Sequence, residues 1–200
     1  MTERIKVWDI VVRSFHWSLV FFFIIAYLSG DELDTVHAYA GYVIAALLII
    51  RLVWGFIGTR NARFVNFIYG PSEVKRYARS LTTRQPMHYE GHNPIGGWMV
   101  IALLVSLILT TWSGLEAYGV EGHGPLATES SLVSVAYANG DEGKGNEQEE
   151  NEDEFWEEIH EALANLTLLL VFVHIGGVLF ASLMHGENLI KIMLTGYRER

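Results

Sequence analysis

The sequence predicts an all-α integral membrane protein: four transmembrane helices in one bundle, with the N and C termini both cytoplasmic. Three observations carry that prediction. Half of the 200 residues are hydrophobic, and they gather into four blocks. Thirteen of the fourteen Lys and Arg residues fall on one side of those blocks, with Lys144 alone on the other. There is no cysteine, which removes disulfides, iron–sulfur clusters, thiol chemistry and covalent c-type haem attachment together.

The blocks run Phe15 to Ser29, Val36 to Ile57, Ile95 to Leu115 and Ile159 to Met184. Each approaches the roughly 20 residues a membrane helix needs, the first by drawing on Ile10 to Ser14. The first block follows Arg4, Lys6 and Arg13 as a signal peptide would. No small-x-small cleavage site follows it, however, and His16, Trp17 and Tyr27 interrupt its apolar character. Arg51, toward the end of the second block, is followed by Arg60, Arg63, Lys75, Arg76, Arg79 and Arg84 in the connection to the third. Lys191, Arg198 and Arg200 follow the fourth. The positive-inside rule makes that face cytoplasmic, and in a bacterium the other face periplasmic, so the expected location is the inner membrane.

Between the spans, "GDELDT" (Gly30 to Thr35) is a short acidic outer loop. The cytoplasmic "GPSEVKRYARSL" opens on Pro71 and continues with helix formers, which predicts a short basic helix on the membrane surface. The second outer loop, about 116–155, carries "NGDEGKGNEQEENEDE", in which eight of sixteen residues are acidic. A stretch without apolar side chains cannot bury enough surface to fold alone, so it reads as mobile. It either keeps the loop solvated or offers a docking field to a basic periplasmic electron carrier. With a net charge of −9, no nucleic-acid partner is expected. The whole chain reads as one domain, and its oligomeric state is open.

The histidines carry the chemistry. His160 and His174 stand fourteen residues apart in the fourth block. At about 100° per residue they share a helix face, roughly 21 Å apart along the axis. One ion cannot bind both, whereas two sites at different depths can. His37 matches His160 in height, and His16 matches His174, which gives two stacked pairs. Facing imidazoles in apolar surroundings suit the two axial positions of a haem iron. Zinc would want further ligands, and the helices offer none at either level. A histidine near a span end can also be an interfacial anchor, but His174 is deeper than that explanation reaches. Gly41, Gly176 and Gly177 beside the ligands leave room for a flat macrocycle. Arg51, with Arg13 as second candidate, is placed to meet a haem propionate; the alternative for Arg51 is snorkelling to the interface. His185 is an alternative to His174, His92 a helix cap or a quinone neighbour, and His123 an exposed loop residue.

"FHWSLV", "VHAYAGY" followed by "LLIIRLVWGF", "GHNPIGGWMV" and "IHEALANLTLLLVFVHIGGVL" together resemble the prokaryotic cytochrome b561 family, which includes the b-type cytochrome subunits of nickel–iron hydrogenases. The resemblance implies two haem b groups with His16, His37, His160 and His174 as ligands. It also implies a respiratory-chain protein that exchanges electrons between quinone and another redox partner. "WGFIGTRNARF" looks like the hydrogenase-type subunits and "SLMHGENLIKIMLTG" like the stand-alone members. Three functions follow as expectations: an electron-transfer protein between quinone and a periplasmic carrier such as a c-type cytochrome, a superoxide oxidase, or the membrane anchor of a hydrogenase-like complex. Seventeen of the twenty-three carboxylates lie on the outer face, a field that repels anionic superoxide and disfavours the second. Trp54, Arg51 and His92 are the candidates nearest a cytoplasmic quinone.

Overall fold

The computed structural model describes residues 4–30, 34–82, 87–120, 122–125, 127 and 145–199. It is mostly helical. Among the described residues, four helices are long and apolar enough to cross a membrane: α1 (Ile10–Ser29), α2 (Asp34–Ile57), α4 (Pro94–Val120) and the Glu154–His185 part of α5 (Gly145–His185). Between them lies α3 (Pro71–Thr82), the short helix expected after Pro71. A seven-residue helix, α6 (Leu189–Thr195), follows α5. Strands β1 (Arg4–Lys6) and β2 (Tyr197–Glu199) pair antiparallel, with Arg4 opposite Glu199 and Lys6 opposite Tyr197. That pairing brings the segment before α1 beside the segment after α6.

The described residues form two compact units, Met1–Leu104 with Leu169–Arg200, and Val105–Leu168. In the first unit, Asp9 starts α1 as its N-cap, accepting the Val12 amide at 2.9 Å. The buried residues of α2 are Ala40, Ile44, Leu48, Arg51 and Gly55, spaced three or four apart as one helix face requires. The other faces stay apolar. Leu28, Phe56 and Leu183 are 78 %, 73 % and 84 % exposed, a pattern that water penalises and lipid does not. In α3, Pro71 occupies the first position, Glu73 the first turn and Arg79 the last, so the ends match the helix dipole. Tyr77 is buried on its inner side, and Lys75, Arg76 and Arg79 are exposed.

The chain's last turn is fixed by a left-handed residue. Gly196 ends α6 at φ 85°, and its amide returns to the Ile192 carbonyl at 2.8 Å. Its own carbonyl accepts the amides of Val7 and Trp8, at 2.8 and 3.2 Å. Arg13 donates to the Leu194 carbonyl at 2.5 Å, so it closes the same helix end with a cation.

Two boundaries differ from the composition reading. α4 continues to Val120 and α5 begins at Gly145, so helix occupies both ends of the outer connection expected at about 116–155. A polar segment that cannot nucleate a helix can still extend one that is already formed, because each added residue then gains a bond without a new nucleus. Acidic residues also suit a helix N-terminus. Of the stretch 139–154 expected to be mobile, residues 139–144 lie outside the described residues, and from Gly145 the chain is helical.

Candidate functional site

At the end of the first unit that carries the chain termini, α2 and the loop after it fold around Asp9. Asp9 is 7 % exposed. Besides capping α1, it accepts Thr59 Oγ1 at 2.5 Å and Trp54 Nε1 at 3.2 Å. Burial works against its ionisation, but the bonds from Thr59, the Val12 amide, Trp54 and the Val11 amide outweigh that and hold its pKa below the usual carboxylate value. Arg51, 3 % exposed, lies within electrostatic reach of Asp9. Its guanidinium donates to the Ala62 carbonyl at 3.2 Å and sits 4.9 Å from the centre of the Phe64 ring. Arg51 Nη1 is buried without a hydrogen-bond partner among the described residues. Arg51 therefore does not snorkel to water; the loop closes over it.

His92 belongs to the same cluster. Its ring lies 4.7 Å from that of Trp8 and 4.5 Å from that of Phe67. Burial, then the Arg51 charge, then His174 push its pKa down to about 3, so it is neutral at ordinary pH. It does not cap α4. Asn93 does, accepting the Gly96 amide at 2.7 Å, because its short amide reaches back to the first turn and an imidazole one residue earlier does not.

Of the four predicted ligands, the structure brings His16 on α1 and His174 on α5 close enough to interact electrostatically. His16 Nδ1 is buried and has no hydrogen-bond partner among the described residues. His37, on the first turn of α2, has Nδ1 2.9 Å from the Ala26 carbonyl. A carbonyl only accepts, so this ring carries its proton on Nδ1 and its lone pair on Nε2. Around Gly41, Gly176 and Gly177 a Cβ would meet nothing within 4 Å. His185 makes a similar bond to Ala181 at 2.9 Å, but its ring stands 5.0 Å from that of His88 beyond the apolar core of α5.

The second unit contains His160 and a row of hydroxyls. His160 Nδ1 lies 2.9 Å from the Thr110 carbonyl and 3.2 Å from Ser113 Oγ. Ser113 Oγ in turn donates to the same carbonyl at 3.0 Å. This ring, too, keeps its lone pair on Nε2. Gly114 is part of the fit: a Cβ there would stand 2.7 Å from His160 Cε1 and 3.0 Å from Nδ1. Two turns further along α5, Thr167 is fully buried, and the hydroxyls of Ser106 and Thr110 both reach its Oγ1 at 3.0 Å. Thr167 also donates to the Leu163 carbonyl at 2.8 Å. His123, exposed as expected, stacks on Tyr118 with ring centres 5.2 Å apart.

Sequence reasoning missed Asp9, Asn93, Gly114 and the hydroxyl row. The row had a readable signal: Ser106, Thr110 and Ser113 fall at helical spacing in an otherwise apolar run. Asp9 directly precedes the apolar run that becomes α1, which is an N-cap signal. Gly114 had none, since the ring it accommodates comes from a distant part of the chain. Among the described residues, no group of three or more His, Asp and Glu side chains could hold a metal ion by itself. A haem iron, which brings four nitrogens of its own, needs only two imidazoles.

The sequence profile described as prokaryotic cytochrome b561 matches residues 7–196. A probable Ni/Fe-hydrogenase B-type cytochrome subunit of Rhizobium leguminosarum bv. viciae is 26 % identical, over 98 % of this chain and 89 % of its own length. The protein of the same description from Bradyrhizobium diazoefficiens is 24 % identical, over 98 % of this chain and 86 % of its own. No solved structure matches the chain. With the four membrane-crossing helices, these matches place the chain in the prokaryotic cytochrome b561 family of membrane haem b electron-transfer proteins.

Proposed function

We propose that the chain holds two haem b groups, one taking His16 with His174 and the other His37 with His160, and passes electrons between quinone and a redox partner on the side opposite its termini. The observation that carries this reading is the shared state of His37 and His160. Each imidazole is bonded through Nδ1 to a backbone carbonyl at 2.9 Å, which orients the ring and keeps the lone pair on Nε2, as a metal-ligating histidine needs. The proximity of His16 to His174 supports the other site. The open space at Gly41, Gly176 and Gly177 and the unpaired Nη1 of Arg51 fit a flat macrocycle with an anionic edge.

Haem b supplies reversible one-electron exchange at its iron. The chain's own residues do the rest. The four imidazoles set ligand field and orientation, the apolar helix faces exclude water, and Arg51 provides a buried cation for a propionate. Arg13, closing α6 through the Leu194 carbonyl, is the second candidate for that contact. Trp54, Arg51 and His92 lie at the end that would meet quinone. By the positive-inside rule that end is cytoplasmic and the membrane a bacterial inner membrane. The acidic outer segment would then meet a periplasmic electron carrier such as a basic c-type cytochrome. A second reading has a specific observation behind it. Two relatives that match nearly the whole chain are described as hydrogenase cytochrome subunits, so the outer partner would be a hydrogenase-like enzyme held in a lasting complex.

A reduced-minus-oxidised spectrum of the purified protein, with a haem-to-protein ratio, tests the ligand set. Two b haems per chain are expected, with His174→Ala and His160→Ala each removing one. A colourless protein, or no haem lost on either substitution, would overturn it. A carrier that dissociates with added salt supports the first partner; co-purification of a hydrogenase-like subunit supports the second.

A further inference from the structure

The two ends of the haem-ligand set differ in how the imidazoles are supported, and the difference has a redox consequence. His160 gives its Nδ1 proton to the Thr110 carbonyl, with Ser113 Oγ as a second contact at 3.2 Å. His37 gives its own to the Ala26 carbonyl. His16 Nδ1 is buried and meets no acceptor among the described residues. A hydrogen bond from Nδ1 makes the imidazole a stronger donor through Nε2, and a stronger donor stabilises ferric over ferrous iron.

Charge acts in the same direction. Arg51 is a buried cation, and it and His174 both act electrostatically on His92. A cation near the haem that takes His174 favours the state with one more electron. Resting on the ligand reading above, we propose that hydrogen bonding at the imidazole Nδ1 makes the haem held by His160 the lower-potential one and the haem held by His16 the higher-potential one. Ser113 acts in this as a positioning residue for the His160 imidazole.

An optical redox titration of the detergent-purified protein tests the order. The wild type should show two midpoints. His160→Ala should retain one haem that titrates at the upper midpoint, and His16→Ala one that titrates at the lower. Ser113→Ala should raise the lower midpoint and leave the upper in place, and Ser113→Thr, which keeps the hydroxyl, should restore it. A His160→Ala protein whose remaining haem titrates at the lower midpoint would overturn the proposed order while leaving the ligand set intact. An unmoved lower midpoint in Ser113→Ala would remove Ser113 from it. Retention of both haems in His160→Ala would overturn the ligand reading, and the order with it.

Discussion

Both units bury polar groups among apolar helices, and they do so by different chemistry. The cluster at the chain-terminal end of the first unit is ionic: a carboxylate, a guanidinium and a neutral imidazole, held by an indole, a hydroxyl and backbone carbonyls. The row in the second unit is neutral, built from Ser and Thr hydroxyls that turn back onto carbonyls of their own helices. Asp9 stands at the start of α1 and Thr59 and Ala62 in the loop beyond α2, where chain outside the spans can cover the charges. Ser106, Thr110 and Thr167 lie within spans, where a charge has no such cover and a hydroxyl can use the helix carbonyl one turn back. Removing a member should therefore cost much in the first region and little in the second.

The largest effect is expected at Asp9. Asp9→Ala removes a helix cap, leaves Trp54 and Thr59 without their acceptor and takes away the carboxylate within electrostatic reach of Arg51, a loss of about 3 kcal/mol by analogy with a broken buried pair. Asp9→Asn should lose less, because the cap survives. Denaturant unfolding in detergent measures both. Equal losses would mean that the charge carries the whole effect and the cap none. An Asp9→Asn protein as stable as the wild type would mean that the charge is irrelevant and the contrast between the regions misdrawn.

Acid should act on the same cluster. His92 has a pKa of about 3 in the fold against about 6.5 unfolded. Its depressed value means that its contribution is complete above the unfolded pKa and declines as pH falls toward the folded one. Between about pH 7 and pH 5 the chain should lose on the order of 2 kcal/mol through this group. Asp9, also depressed, keeps its contribution above about pH 4 and loses it only below. His92→Gln should flatten the slope between about pH 7 and pH 5; an unchanged slope would place the sensitive group elsewhere.

In the second unit, Gly114→Ala forces a methyl against His160. A cost of about 1–3 kcal/mol is expected from overpacking, with a reduced haem-to-protein ratio as the direct readout. The smallest effect is expected at Thr167→Val, which removes a hydroxyl shared with Ser106 and Thr110. Such bonds within membranes average about 0.6 kcal/mol. A loss as large as that of Asp9→Ala would erase the distinction between the two regions.

Much of this architecture was legible in one dimension. A run of about 20 apolar residues has few stable forms in lipid other than a helix, so α1, α2, α4 and the core of α5 could be counted from composition. Helix periodicity put His160 and His174 on one face, and Pro71 marked the start of α3. The first turns of α5 were not legible, because a polar segment becomes helical there only as an extension of a helix anchored elsewhere.

Which groups are chemically available was decided by tertiary structure. Sequence placed Arg51 equally well beside a propionate or at the water boundary. The closure of Ala62 and Phe64 over it settles its burial, since no periodicity encodes where a later loop lands. The same holds for the imidazoles. Their residue type and spacing are sequence properties, but the tautomer of each depends on a carbonyl eleven or fifty residues away, Ala26 for His37 and Thr110 for His160. Helix geometry is a local consequence of backbone hydrogen bonding and can be read along the chain. The partner of a side chain is a consequence of packing between distant segments, and only the folded structure determines it.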